Sequence, residues 1–173
     1  MQNNLVTFKV VLAGDVGVGK TCLLHHAVSE EFLEFIPPTI GIDYKVKTYD
    51  DIGGKKVKMF IYDSTGSDRL HSDTCSYYKQ ADVVVVCYSI DDRSSFEKVN
   101  SYLKKVEDYC EEVTTVYLVG TKSDLENLRQ NPRDMAEEYA KNRPIRALHF
   151  KEVSSKTGQN VKELFETIAK RQL

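Results

Sequence analysis

An apolar run, FKVVLAG (Phe8–Gly14), leads directly into GDVGVGKT (Gly14–Thr21), and a helical pattern follows. No other feature restricts the fold as much. The octapeptide fits G-x-x-x-x-G-K-[ST] in the strand–loop–helix context that this motif needs. Its glycines let the backbone curl so that N–H groups face phosphate oxygens. The following helix N-terminus adds its dipole. Lys20 brings a cation to the β and γ phosphates, and the Thr21 hydroxyl suits Mg²⁺. The expected phosphate-side set is Asp15, Val16, Gly17, Val18, Gly19, Lys20, Thr21 and Cys22.

The rest of the chain supplies a sheet to carry such a loop. VVVVCYSI (Val83–Ile90) and VYLVG (Val116–Gly120) are continuous apolar runs, as in strands buried on both faces of a parallel sheet. YKVKTYD and KKVKMFIYD flank the turn DIGG (Asp51–Gly54) and predict an antiparallel hairpin. Between the strands lie helical patterns. Ser94 with Glu97 offers a capping box, and Phe96, Val99, Leu103, Val106 and Cys110 continue at helical spacing. Pro132 can open a further helix, and Val161, Leu164, Phe165 and Ile168 make the last one amphipathic. The expected fold is α/β. It is a P-loop three-layer domain over residues 1–173, with a six-stranded, mostly parallel sheet, one antiparallel hairpin strand and about five helices. Ligands of such sheets bind at the carboxyl ends of the strands.

The loop by itself does not choose a base. TKSD (Thr121–Asp124) follows the buried run VYLVG and so also lies at a strand's carboxyl end. A fixed carboxylate there can accept from guanine N1–H and the 2-amino group. Adenine lacks both donors and would leave that carboxylate unpaired. The Lys122 stem can lie along the base plane. Thr121, Lys122, Asp124 and Leu125 form the expected base set. Alone, such a tetrapeptide reads as a surface loop; with the phosphate loop upstream it reads as guanine recognition. A P-loop kinase or ATPase is disfavoured by TKSD and by SSK (Ser154–Lys156).

With these motifs in place, the chain resembles the Ras-like small GTPases over nearly its whole length, and within them the Rab branch. TIGIDY (Thr39–Tyr44), KMFIYDSTGSDRL (Lys58–Leu70), SYYKQADVVVVCYSI (Ser76–Ile90) and SSKTGQNV (Ser154–Val161) carry the likeness. The resemblance implies a GTPase that binds GTP or GDP with Mg²⁺ and acts as a switch in vesicular traffic. It implies Mg²⁺ ligation by Thr21, Thr39 and, through a water, Asp63. It implies γ-phosphate contacts from Thr39 and the Gly66 N–H. Lys20, Thr39, Gly66 and Ser67 would then be the catalytic set. Phe32 would pack on the guanine edge, and Ser154, Ser155 and Lys156 would complete the base pocket. Singly, Thr39 reads as a turn residue, Phe32 as core and Asp63 as a helix cap. Effector, exchange-factor and activating proteins are the implied partners, through the switch loops and the aromatic positions Tyr44, Tyr62 and Tyr77. Tyr62, in a strand, fits a core position equally well.

Departures from that family pattern bear on turnover. Ser67 and Asp68 stand where Gln and Glu are usual after DxxG, and the Gln orients the attacking water. Val16 lies in the phosphate loop where a small residue is common. Hydrolysis is therefore expected to be slow, and a nucleotide-bound interaction module that does not cycle by its own hydrolysis is the alternative. The net charge of −2 argues against nucleic acid as the main partner. Cys22, Cys75, Cys87 and Cys110 form no CxxC pair and read as thiols of a reducing, cytoplasmic compartment. The sequence ends at AKRQL with no nearby cysteine to carry a prenyl group. Attachment to the cytosolic face of endomembranes is thus expected only through a lipidated tail or further domain outside these residues.

Overall fold

A computed structural model describes residues 5–64, 76–144 and 148–173. Strands β1 (Leu5–Gly14), β2 (Ile42–Ile52), β3 (Lys55–Ser64), β4 (Val83–Ser89), β5 (Thr115–Thr121) and β6 (Leu148–Glu152) form one sheet. Helices α1 (Lys20–Ser29), α2 (Arg93–Glu97), α3 (Val99–Tyr109), α4 (Arg133–Asn142) and α5 (Val161–Arg171) lie among them, with a 3₁₀ turn at Glu126–Leu128. The spatial order is β2-β3-β1-β4-β5-β6. Every neighbouring pair is parallel except β2 with β3. The expected six-stranded sheet with one antiparallel hairpin strand is thus the observed one.

The hydrophobic pattern explains the layers. In β1, Val10 and Leu12 face a core shared with α1 and α5, where Leu23, Leu24, Phe165 and Ile168 lie. Val11 and Ala13 face the opposite core, with Leu103, Val106 and Ala136 from α3 and α4. Side chains alternate across a strand, so a run that is apolar at every residue must be covered on both faces. Each fully buried Leu or Phe contributes about 1.5–3 kcal/mol. Leu12, Leu118 and Phe165 are of that kind.

Strand β1 sits centrally, with β3 on one side and β4 on the other. The chain reverses its direction of progress across the sheet there. The carboxyl end of β1 is the crevice where open α/β sheets bind ligands.

One expected helix divides in two. The sequence suggests a Ser94 cap and a continuous helix, but Asp92 is the cap: its Oδ1 accepts from the Ser94 N–H at 3.0 Å and the Ser95 N–H at 3.4 Å. The helix then breaks at Lys98, which ends α2 and precedes α3. Asp92 wins because both serines donate back to it: the Ser94 hydroxyl to Asp92 Oδ1 at 2.8 Å and the Ser95 hydroxyl to the Asp92 carbonyl at 2.7 Å. Pro132 directly precedes α4 rather than lying inside its first turn. The helix expected between the hairpin and β4 lies outside the described residues apart from a turn at 76–78.

Candidate nucleotide-binding site

The loops after β1, β5 and β6 meet beside the carboxyl end of β3. The first curls from Gly14 through Gly17 (φ 79°) and Gly19 (φ 94°) into α1. Gly14 is required at its place: φ is 141°, and a Cβ there would lie 2.4 Å from the Cys87 carbonyl oxygen. Val18 turns its side chain into the core. Its carbonyl accepts from the Thr121 hydroxyl, whose oxygen also lies 3.0 Å from the Tyr88 carbonyl. The phosphate loop and the end of β5 are thereby joined. Val16, by contrast, stands 58% exposed on the loop's crest.

Lys20 is almost fully buried. Its ammonium donates to the Gly14 carbonyl at 2.8 Å and the Asp15 carbonyl at 2.7 Å, spanning the loop from inside. Burial pulls its pKa below the ordinary lysine value, while Cys87, Asp63 and Asp15 act in the other direction.

Three oxygen donors from three segments converge beside it. Asp63 Oδ2, at the end of β3, accepts from the Thr21 hydroxyl at 2.6 Å and the Thr39 hydroxyl at 3.3 Å. The two threonine oxygens lie 2.7 Å apart. Thr39 belongs to the connection between α1 and β2, which has no regular secondary structure near it. Burial raises the Asp63 pKa above the usual carboxylate value. The Thr21 bond, the Lys20 charge, the Ser64 N–H and the Thr39 bond partly offset that. A buried ammonium pushed down and a buried carboxylate pushed up both favour added counter-charge. An anion suits the first and a hard cation the second. Two hydroxyls and a carboxylate form a hard-oxygen set of the kind Mg²⁺ takes.

A cleft of about 240 Å³ opens beyond the loop, lined by Gly19, Cys22, Phe32, Thr121, Lys122, Asp124, Leu125, Ser155 and Lys156. Each of the nine belongs to the set read from sequence for the nucleotide. Asp124 is held by the Ser154 hydroxyl at 2.6 Å, and Ser154 is itself fully buried. Lys122 adopts a left-handed backbone (φ 57°), and its ammonium lies 3.9 Å from Asp91. The Ser123 N–H donates to the Val153 carbonyl at 3.0 Å, and the Val153 N–H to the Gly120 carbonyl at 2.8 Å. These bonds fix the loops after β5 and β6 against each other. Gly66 and Ser67 lie outside the described residues.

The aromatic positions separate. Tyr44 is 53% exposed and stacks on the half-buried Tyr62, with ring centroids 5.3 Å apart. Tyr77 does not share that surface. It is only 6% exposed, and its hydroxyl points at the carbonyls of Leu12 (2.8 Å) and Tyr62 (2.9 Å). A phenol that can satisfy its polar tip on two strand carbonyls buries its ring at little cost. Of the three aromatic positions expected to meet partners, Tyr44 and the half-buried Tyr62 lie together and Tyr77 lies underneath.

Two ion pairs near the site were not anticipated. Arg129 forks onto Glu152 at 2.8 and 2.9 Å, and Glu152 is buried at the end of β6, just before the serine loop. Lys98 reaches Asp15 in the phosphate loop at 2.5 Å. Neither pair has a local signal, since the partners lie 23 and 83 residues apart.

Sequence comparisons show the family. A model of the Ras family matches residues 9–173. The chain is 37% identical over 162 residues to the Ras-related protein Rab-10 of Diplobatis ommata, covering 94% of this chain and 79% of that protein. It is 36% identical over 163 residues to the Ras-related protein Rab-13 of Bos taurus, covering 94% and 78%. It is 40% identical over 162 residues to the Ras-related protein SEC4 of Saccharomyces cerevisiae, covering 94% and 73%. The chain belongs to the Ras family of small GTPases, proteins that bind GTP and GDP with Mg²⁺, and its relatives include Rab proteins.

Proposed function

We propose that residues 1–173 are one G domain that works as a Rab-like switch in vesicular membrane traffic and hydrolyses GTP slowly. The observation that carries this reading is the meeting of Thr21, Thr39 and Asp63 at one point. Three segments that are distant in sequence depend on a single centre. Thr21 and Thr39 would hold Mg²⁺ through their hydroxyl oxygens and Asp63 would hold it through a water; the metal would supply neutralisation of phosphate charge. Lys20 serves the β and γ phosphates. Gly66 meets the γ-phosphate through its N–H. Asp124, oriented by Ser154, takes the guanine edge; Phe32 and the Lys122 stem flank the ring; Ser155 and Lys156 close the pocket.

A switch follows from this dependence. Thr39 lies on an irregular connection, so its order rests on the centre it touches. A ligand that engages Thr39 and Gly66 in one state only biases both loops. Partners read that state on a surface that includes Tyr44 and Tyr62. Membrane location follows if the full-length protein carries a lipid anchor.

Two residues support the slow rate. Ser67 is too short to orient water as the usual Gln does. Val16 places a branched, exposed side chain on the crest of the loop, where an activating arginine would need to enter. Val16 also favours a second reading, a nucleotide-loaded interaction module that does not cycle by its own hydrolysis. Release and identification of the bound nucleotide tests the ligand: guanine nucleotide is expected, and adenine nucleotide would overturn the reading. Single-turnover hydrolysis, with and without activating proteins, separates slow cycling from none.

A further inference from the structure

We infer that Lys98 is a charge-compensating residue for the phosphate site, and that it sets how well this chain holds GTP relative to GDP. The inference rests on the phosphate-loop reading above. The loop contains a carboxylate, Asp15, at its second residue. A negative side chain beside a polyphosphate is unfavourable, and the penalty grows with the phosphate charge. Lys98 answers it: its ammonium lies 2.5 Å from Asp15 Oδ2.

Lys98 is placed for this by the fold. It stands at the break between α2 and α3, and its carbonyl accepts from the Ser101 N–H at 3.0 Å and the Ser101 hydroxyl at 2.7 Å. The next residues, Val99, Tyr102 and Leu103, are buried against the sheet. The backbone at Lys98 is therefore anchored while its side chain reaches across to the loop. Asp15 is then held at two atoms, its carbonyl by Lys20 and its carboxylate by Lys98. Lys98 touches no reacting atom; it is a positioning residue that acts through Asp15. Its side chain is 51% exposed, so solvent moderates the effect.

Dissociation rates of fluorescent GTP and GDP analogues test this in the intact chain at fixed Mg²⁺. Wild type is compared with Lys98→Met, Lys98→Arg, Asp15→Asn and the double variant Lys98→Met/Asp15→Asn. Lys98→Met should speed GTP release by roughly two- to fivefold, the scale of a half-exposed ion pair. GDP release should quicken less. Lys98→Arg should match wild type, and adding Asp15→Asn to Lys98→Met should restore slow release. Rising salt should shrink the difference. Equal acceleration for both nucleotides that Asp15→Asn does not repair would indicate lost packing and overturn the inference. An unchanged Lys98→Met would overturn it as well. Wild type that binds neither analogue would overturn the phosphate-loop reading and this inference together.

Discussion

The Ser154 hydroxyl donates to Asp124 Oδ1 at 2.6 Å, joining the loop after β6 to the loop after β5. A free carboxylate would rotate; this one is held by a single bond to Oδ1, which leaves acceptor sites on both oxygens for a ligand. Its orientation is set before any base arrives, which lowers the ordering cost of binding.

Base choice should depend on that carboxylate. Asp124→Asn presents an amide donor where guanine also has donors. Guanine-nucleotide affinity should fall on the order of 10²–10⁴-fold, from two charge-assisted hydrogen bonds lost together. Xanthine carries a carbonyl in place of the 2-amino group and should gain relative affinity. Direct titration of both nucleotides checks this, and unchanged GTP affinity would remove Asp124 from the pocket.

The metal centre makes a separate prediction. Thr21→Asn removes the hydroxyl that sits 2.6 Å from Asp63 and 2.7 Å from Thr39. Mg²⁺ affinity of the nucleotide complex should fall on the order of 10- to 100-fold, the scale seen even for outer partners of a metal site. GDP should be favoured over GTP, since a metal at this site would supply more charge neutralisation to a triphosphate than to a diphosphate. Lys20→Ala should lose most nucleotide affinity. Equilibrium titration with and without Mg²⁺ measures both, and tight Mg²⁺-dependent GTP binding in both variants would place the phosphate site elsewhere.

Arg129 should matter for stability more than its surface neighbours do. Arg129→Met leaves Glu152 buried without its forked partner. Breaking such a pair costs about 3–5 kcal/mol. Removing both charges, as in Arg129→Met/Glu152→Met, should cost much less. Urea unfolding of the nucleotide-free protein compares them. Equal losses in the single and double variants would mean that the pair does not act as a unit.

His149 contributes a pH dependence. Burial, then the Arg171 charge, lower its pKa below the ordinary histidine value. The unfolded chain therefore binds a proton at a higher pH than the folded one. Above the unfolded pKa both forms are neutral and His149 adds no slope. As pH falls through that value toward the lower folded pKa, stability is lost. His149→Gln should flatten the melting temperature against pH over that window. An unchanged slope would assign the acid sensitivity to other groups.

Much of this architecture was legible in the sequence because its signals are local. The runs at Phe8–Gly14, Val83–Ile90 and Val116–Gly120 are almost continuously apolar, so they read as strands covered on both faces. The hairpin around Asp51–Gly54 alternates, so it read as antiparallel. The phosphate loop is eight consecutive residues. What was not legible depends on contacts between distant segments. Nothing near Lys98 shows that the helix breaks there or that the side chain meets Asp15. Arg129 and Glu152 become partners only when β6 comes to lie beside β5. Tyr77 resembles an exposed aromatic until the Leu12 and Tyr62 carbonyls are seen within reach of its hydroxyl. Asp92 displaced Ser94 as the cap because the Ser94 hydroxyl itself donates to the Asp92 carboxylate.

The central claim, a guanine-nucleotide switch with slow turnover, is tested most directly by single-turnover hydrolysis of GTP bound to the purified protein with Mg²⁺. Phosphoryl transfer needs an in-line water and stabilisation of charge. On the proposed reading Ser67 is too short to position that water, and Val16 stands where an activating arginine would need to enter. Even Ras, with its Gln, hydrolyses GTP unaided at only about 3–5 × 10⁻⁴ s⁻¹. The unmodified chain should turn over at or below that scale, Ser67→Gln should raise the rate, and Ser67→Gln with Val16→Gly should raise it further. Wild-type turnover many times faster than the reference would contradict the account, because another group would then position the water.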